Sequence, residues 1–232
     1  MSEPAESTIE LRRITTDEEL RSAFSERDWQ VLKHYVTNLN SRPSNFYVAE
    51  KMGAKVPGPI YILEFRLTVL GLPGVIYATC GVSAFPLTAS PHKVRIELIA
   101  YNRESDLRVA THLAGMGAYS FRNNSFLDYN HTFDFRDGNG IIEGSALSSI
   151  VFAYPLLGGE LDALKTIKFK DDTHAHLLWY LPVYPSERLY FKTNPADFFI
   201  QFARNRVDAA DLYREEFIFT NSTDKESLVE DN

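Results

Sequence analysis

Few side chains in this sequence are spaced to do chemistry together. His174-Ala175-His176 follows Asp171-Asp172. In a strand, His174 and His176 project to one face and could share a metal ion, with Asp172 as third ligand. The same residues also read as the polar start of a strand after a turn, and no HExxH or CxxC motif supports a metal. Cys80 is the single cysteine and sits in an apolar run beside Gly81. A catalytic thiol needs an electropositive, partly exposed setting, so Cys80 reads as a small buried hydrophobe. Gly144-Ser145-Ala146 lacks the second glycine of a nucleophile elbow. Gly115-Met116-Gly117 falls within a helical pattern, which excludes a dinucleotide loop, and there is no P-loop. Glu97 is the lone acid of an apolar strand pattern, with Arg95 two residues away. A glycosidase-like pair needs a second acid facing it. Glu97 reads instead as a partly buried carboxylate tied to backbone amides or to an arginine. No catalytic constellation emerges, so neither an enzyme nor a cofactor is expected. Tyr119, Phe121, Phe126, Tyr129, Phe133 and Phe135 crowd a region with Arg122 and Arg136. That mixture suits protein recognition and equally the core of a β-rich segment.

The elements that must position these residues follow from periodicity. Thr16-Asp17-Glu18-Glu19 is a capping-box pattern that opens a short helix. Ser25-Glu26-Arg27-Asp28 opens a second, expected over 26–38, with Trp29, Leu32, Val36 and Leu39 on one face. Residues 41–59 read as irregular, broken by Pro43, Gly53, Pro57, Gly58 and Pro59. Tyr61, Leu63, Phe65, Leu67 and Val69 alternate with Ile62, Glu64, Arg66 and Thr68, which predicts a strand with one buried face. A turn at Gly71-Leu72-Pro73-Gly74 leads to a second strand, Val75 to Cys80, and a third follows at Val94 to Ala100. Glu104-Ser105-Asp106 opens a helix over 105–121 with an inner stripe of Leu107, Ala110, Leu113, Ala114 and Gly117. Strands are expected over 127–135 and 146–154 around the turn Asp137-Gly138-Asn139-Gly140. Another is expected from His176 to Leu181, and Asn194-Pro195 caps a helix carrying Phe198, Phe199 and Phe202. Strands and helices do not alternate strictly. The fold class is therefore α+β, with a mostly antiparallel central sheet and helices packed on it in a single domain. The expected organisation is a flexible N-terminus over 1–15, the domain over 16–220 and a flexible acidic tail over 221–232.

Composition bounds the function. The chain has 232 residues, 44 % hydrophobic, 24 % charged and net −7, a balance that argues against disorder. Residues 1–30 and 208–232 carry −4 and −6, so residues 31–207 carry +3. A net acidic chain lacks the basic face a nucleic-acid binder needs. One cysteine permits no intrachain disulfide and no four-cysteine zinc site. The polar, acidic N-terminus has no signal-peptide pattern and no apolar stretch reaches 18 residues, so the expectation is a cytoplasmic protein without membrane contact.

A joint pattern remains. Thr79-Cys80-Gly81-Val82-Ser83 follows an apolar strand, and Val94-Arg95-Ile96-Glu97-Leu98-Ile99 follows about a dozen residues later. Near the C-terminus, Leu177-Leu178-Trp179-Tyr180-Leu181-Pro182-Val183-Tyr184-Pro185-Ser186-Glu187 precedes Leu189. In order and spacing, over roughly 30–218, this resembles the suppressor of fused domain family, with its T-x-G-x-S segment, its central E-L strand and its late strand ending in proline followed by an acid. The resemblance rests on Thr79, Gly81, Ser83, Glu97, Leu98, Pro182 and Glu187. Tyr184-Pro185 interrupts the last motif, and residues 125–150 match no part of the family pattern.

The resemblance implies scaffold roles for these residues. Gly81 would let the chain bend, Ser83 and Glu97 would satisfy amides around the bend, and Pro182 would end its strand. It also implies a non-enzymatic protein-binding domain. Animal members clamp an extended peptide of a transcription factor, and short bacterial members resemble immunity proteins that neutralise toxins. The first expectation is a bacterial immunity protein with a toxin partner. The alternatives are a regulatory module binding an extended peptide of a signalling or transcription factor, and a metal-dependent hydrolase using Asp172, His174 and His176.

Overall fold

Capping chemistry sets the first helices. A computed structural model of the protein describes residues 9–69, 72–135, 140–155 and 165–219. The Thr16 hydroxyl accepts the Glu19 amide at 3.1 Å and starts α1 (Asp17–Ala23). Glu19 answers from the Thr15 N–H at 3.2 Å, one residue short of a reciprocal box. Ser25 and Asp28 complete theirs: the Ser25 N–H donates to Asp28 at 2.9 Å, and Ser25 caps α2 (Glu26–Leu39). The helix ends at Asn40, whose φ of 46° breaks the ladder. α2 buries Asp28, Val31, Leu32 and Tyr35. This stripe starts one residue before the expected one. The capping Asp28 turns inward, and Trp29 is left 38 % exposed.

Among the described residues the chain forms nine strands and five α-helices, in two compact units. The first unit takes in residues 1–131 and 152–181. Its strands β1 (Glu10–Ile14), β2 (Asn45–Glu50), β3 (Tyr61–Val69), β4 (Leu72–Cys80) and β5 (Ile96–Asn102) pair antiparallel in that order. β9 (His174–Val183) then joins β5 in parallel, from Ile96↔His176 to Ile99↔Trp179. β8 (Thr166–Lys168) pairs antiparallel with β9. Helix α3 (Leu107–Arg122), capped by Asp106, packs on β3, β4 and β5. Gly117 allows that approach, because a Cβ there would lie 2.9 Å from Val82 Cγ2. On the other face, α2 sets Tyr35 against Phe65. The second unit, 132–151 and 182–232, holds the antiparallel pair β6 (Thr132–Asp134) and β7 (Ser149–Ala153). It also holds α4 (Pro185–Thr193) and α5 (Pro195–Arg204). The fold is α+β with mostly antiparallel strands, as expected.

Several boundaries differ from expectation, each for a local reason. Residues 10–14 are a strand rather than flexible N-terminus, because Leu11 and Ile14 pair against Ala49 and Phe46. Residues 45–50 form β2 inside the stretch expected to be irregular, since this segment lies between β1 and β3. Leu72, Pro73 and Gly74 belong to β4, opposite Val69, Thr68 and Leu67, so the second strand starts at Leu72 rather than Val75; Leu70 and Gly71 fall outside the described residues. β3 is buried on both faces from Tyr61 to Phe65, because helices cover both. The strand expected over 127–135 shrinks to three residues, since Asn130 adopts a φ of 64°. The turn residues 137–139 and the tail 221–232 lie outside the described residues.

Candidate functional site

Thr79, Gly81, Ser83 and Glu97 meet in one buried cluster at the end of the β4–β5 ladder. Register pairing between these strands stops at Ala78↔Ile99. The next backbone bond is replaced by a side chain: Leu98 N–H donates to Thr79 Oγ1 at 2.7 Å. The Thr79 hydroxyl then donates to Glu97 Oε2 at 2.6 Å. Past this point the chain bends at Gly81, with φ 110°, into a short 3-10 turn over Val82–Ala84. A Cβ at Gly81 would lie 2.5 Å from the Pro59 carbonyl oxygen, so only glycine fits. The bend frees two amides, and Glu97 Oε1 accepts both: Gly81 N–H at 3.1 Å and Ser83 N–H at 2.9 Å. The Ser83 hydroxyl adds a fourth bond at 2.6 Å. Arg95 ties the outside of the turn by donating to the Ser83 and Ala84 carbonyls, both at 2.8 Å. Glu97 is fully buried. Burial pushes its carboxyl up to about 7, against the pull of the four donors.

A second buried carboxylate organises the other unit. Glu187, at the third position of α4, accepts from the Tyr184 N–H at 2.9 Å and closes the start of the helix. Tyr184-Pro185 is thus the cap and first residue of α4, not an interruption. Arg214 grips Glu187 with two bonds of 2.6 Å, and the Phe217 N–H adds a third donor at 2.9 Å. The guanidinium lies over the Tyr184 and Phe202 rings at 5.6 and 5.3 Å. Pro182 does not end its strand: β9 runs on to Val183, and the turn into α4 begins at Tyr184.

The model of the suppressor of fused protein family matches residues 59–215. The chain belongs to the suppressor of fused family. The matched stretch begins at Pro59, against which Gly81 packs, and ends just past Arg214. Among solved structures the chain is similar to a suppressor of fused homologue from Neisseria gonorrhoeae, at 15 % identity and TM-score 0.62, covering 84 % of this chain and 99 % of that one. It is similar to Drosophila Suppressor of Fused at 13 % identity and TM-score 0.57, over 87 % of this chain and about half (52 %) of the fly chain. It also resembles a chain of the Sufu–Fu complex at 13 % identity and TM-score 0.56, covering 88 % and 96 %. Curated proteins give no match.

Within this suppressor of fused domain, Glu97 and Glu187 are both fully buried. Cys80 is buried under α2, its thiol 3.5 Å from the Asp28 carbonyl, and burial pushes the thiol far up. The rings of His174 and His176 stand perpendicular, 5.3 Å apart. His176 packs edge-on against Tyr129 at 5.6 Å, and burial lowers its pKa. Asp172 does not complete a site with them: it occupies a turn with φ 59°, and the described residues contain no group of three ligands able to hold a metal. Among the described residues no helix is long and apolar enough to cross a membrane. Residue-by-residue reading missed Glu64, which is fully buried and accepts from Tyr47 at 3.1 Å and Ser105 at 3.2 Å. Its only sequence signal is an acid at mid-strand, the same signal that singled out Glu97. Arg214 carried none, since it lies in an acidic stretch.

Proposed function

We propose that this suppressor of fused domain is a non-enzymatic, cytoplasmic protein-binding domain, acting as a bacterial immunity protein that neutralises a toxin. The observation that carries the protein-binding part is the family match over residues 59–215. The immunity part takes its support from the likeness to a bacterial suppressor of fused homologue, from Neisseria gonorrhoeae, that this chain matches over 99 % of that chain's length. Thr79, Gly81, Ser83, Glu97, Leu98, Pro182 and Glu187 serve as scaffold, and the domain begins with β1 at Glu10 rather than at residue 16. The test is co-expression with the toxin encoded beside its gene. Protection of growth and a stable complex are expected. A toxic neighbour that is neither bound nor neutralised, or a neighbourhood with no toxin, would overturn the immunity role.

One observation favours a second reading, a module that binds an extended peptide of a signalling or transcription factor. β1 stands at the end of its sheet with β2 as its sole strand neighbour among the described residues. Such an edge can accept another strand. Recovery of a regulatory factor rather than a toxin in a pull-down would select this reading.

A further inference from the structure

The cleft where α1 and α2 meet β1 and β2 has an apolar floor and a cationic rim, and neither carboxylate cluster uses it. Two cavities of about 400 and 350 Å³ lie there. They share Asp17, Leu20 and Phe46, so they form one continuous depression. Leu20, Leu32, Val36 and Phe46 supply its floor. Trp29 lines it, 38 % exposed and packed on Phe24 at 5.3 Å between ring centres.

The rim is what specifies a ligand. Arg21 and Arg42 line the cavity that holds Trp29, whereas Arg13 pairs with Tyr47 in the register and turns to the other face of the sheet. Neighbouring cations are committed: Arg12 to Glu19 and Glu50, and Arg27 to Asp171. Arg21 and Arg42 have no ion-pair partner among the described residues. Asp17 is the one acid in the lining, so the depression is net cationic on a chain of −7. A small anion would engage the rim and leave the aromatic floor in water. A purely apolar ligand would leave two guanidiniums unanswered. The complement to both features is a chain segment that alternates carboxylates with apolar side chains.

We propose that this cleft docks an acidic, leucine- or phenylalanine-bearing peptide segment of the protein partner. Carboxylates pair with Arg21 and Arg42, and an apolar side chain seats against Trp29 and Phe46. The proposal rests on the protein-binding reading and adds the surface and the partner's chemistry. Trp29 also supplies a reporter. The chain has two tryptophans, and Trp179 is only 4 % exposed, so a change in tryptophan emission on docking arises at Trp29.

The test titrates the full chain with a short fluorescein-labelled peptide of glutamates and leucines, against a control with lysines for glutamates. Saturable binding of the acidic peptide, a blue shift in tryptophan emission, and no binding of the lysine control are expected. Arg21→Glu with Arg42→Glu should weaken binding about tenfold or more, and added salt should weaken it further. Trp29→Phe should abolish the emission change while polarisation still reports binding. All these positions are exposed, so the variants fold; a matching far-UV spectrum and melting temperature verify it. Equal binding of both peptides, or none, overturns the proposal. A gain in affinity on removing residues 220–232 also overturns it, by making the chain's own tail the occupant. If a captured toxin binds the double-arginine variant as tightly as wild type, the protein-binding reading stands and the groove fails. If no protein partner exists yet the peptide docks as described, the reverse holds.

Discussion

Replacing Glu97 separates what its acceptors contribute from what its charge costs. Glu97→Ala strips the acceptor from two buried amides, Gly81 and Ser83, and from the hydroxyls of Thr79 and Ser83. The hydroxyls can rotate toward other acceptors, but the amides cannot. At about 1–3 kcal/mol for each stranded donor, the loss is about 2–6 kcal/mol, a large share of a typical domain's stability. Glu97→Gln is different. Its carbonyl can keep the three donors at Oε1, and its amino group takes the place of the protonated oxygen, facing Thr79 Oγ1. Gln is therefore a fixed mimic of the neutral acid. Burial raises the Glu97 carboxyl from its ordinary 4.5 to about 7. The folded state then holds its proton where the unfolded state has lost it, so wild-type stability falls as pH rises from about 4.5 through about 7. The span corresponds to about 3 kcal/mol. Wild type and Glu97→Gln should be nearly equal at the acid end. The glutamine variant should gain by up to about 3 kcal/mol at about pH 8. Urea unfolding followed by far-UV circular dichroism measures both. A stability gap that stays constant with pH would refute the account by showing no shift of the carboxyl on folding, and one that turns toward wild type at high pH would refute it by showing the carboxylate to be the favoured form.

The other predictions concern the bend, the second cluster and the histidine pair. Gly81→Ala should cost about 3 kcal/mol or more, through the φ of 110° and the 2.5 Å approach to the Pro59 carbonyl, and should lower the melting temperature accordingly. An unchanged melting point would mean the bend relaxes freely. Arg214→Met should cost about 3–5 kcal/mol by leaving Glu187 buried without its partner. Arg214→Met with Glu187→Met should recover much of that loss, which a double-mutant cycle in urea reads directly. Chelator or added zinc should leave the melting temperature unchanged, since Asp172 stands apart from His174 and His176. A stabilisation by zinc would reinstate that site.

Which residues are legible in the sequence depends on how local their partners are. Glu97 stood out as one acid in an apolar strand, and the bend it serves lies within twenty residues of it. Gly81 and Ser83 stood out by their spacing around that strand. The capping pairs Thr16 with Glu19 and Ser25 with Asp28 are separated by three residues, so the pattern alone places them. Glu64 carries the same kind of signal as Glu97, yet strict alternation assigned it to an outer face. It is buried because the start of α3 brings Ser105 over it, a partner 41 residues away. Arg214 and Glu187 lie 27 residues apart, and no periodicity joins the first turn of a helix to an acidic C-terminal stretch.

Hydrophobic periodicity, capping and glycine stereochemistry act over a few residues, so the α+β class, the main strands and helices, and the family pattern are legible in the residue order alone. Only the folded chain sets which polar groups are buried and which cations lack an ion-pair partner among the described residues. Trp29 shows the difference: helical spacing placed it with the apolar stripe, while packing turned that stripe toward Asp28 and Tyr35 and left Trp29 beside Arg21 and Arg42. Burial and charge pairing depend on distances between segments far apart in the chain, and only the folded chain sets those.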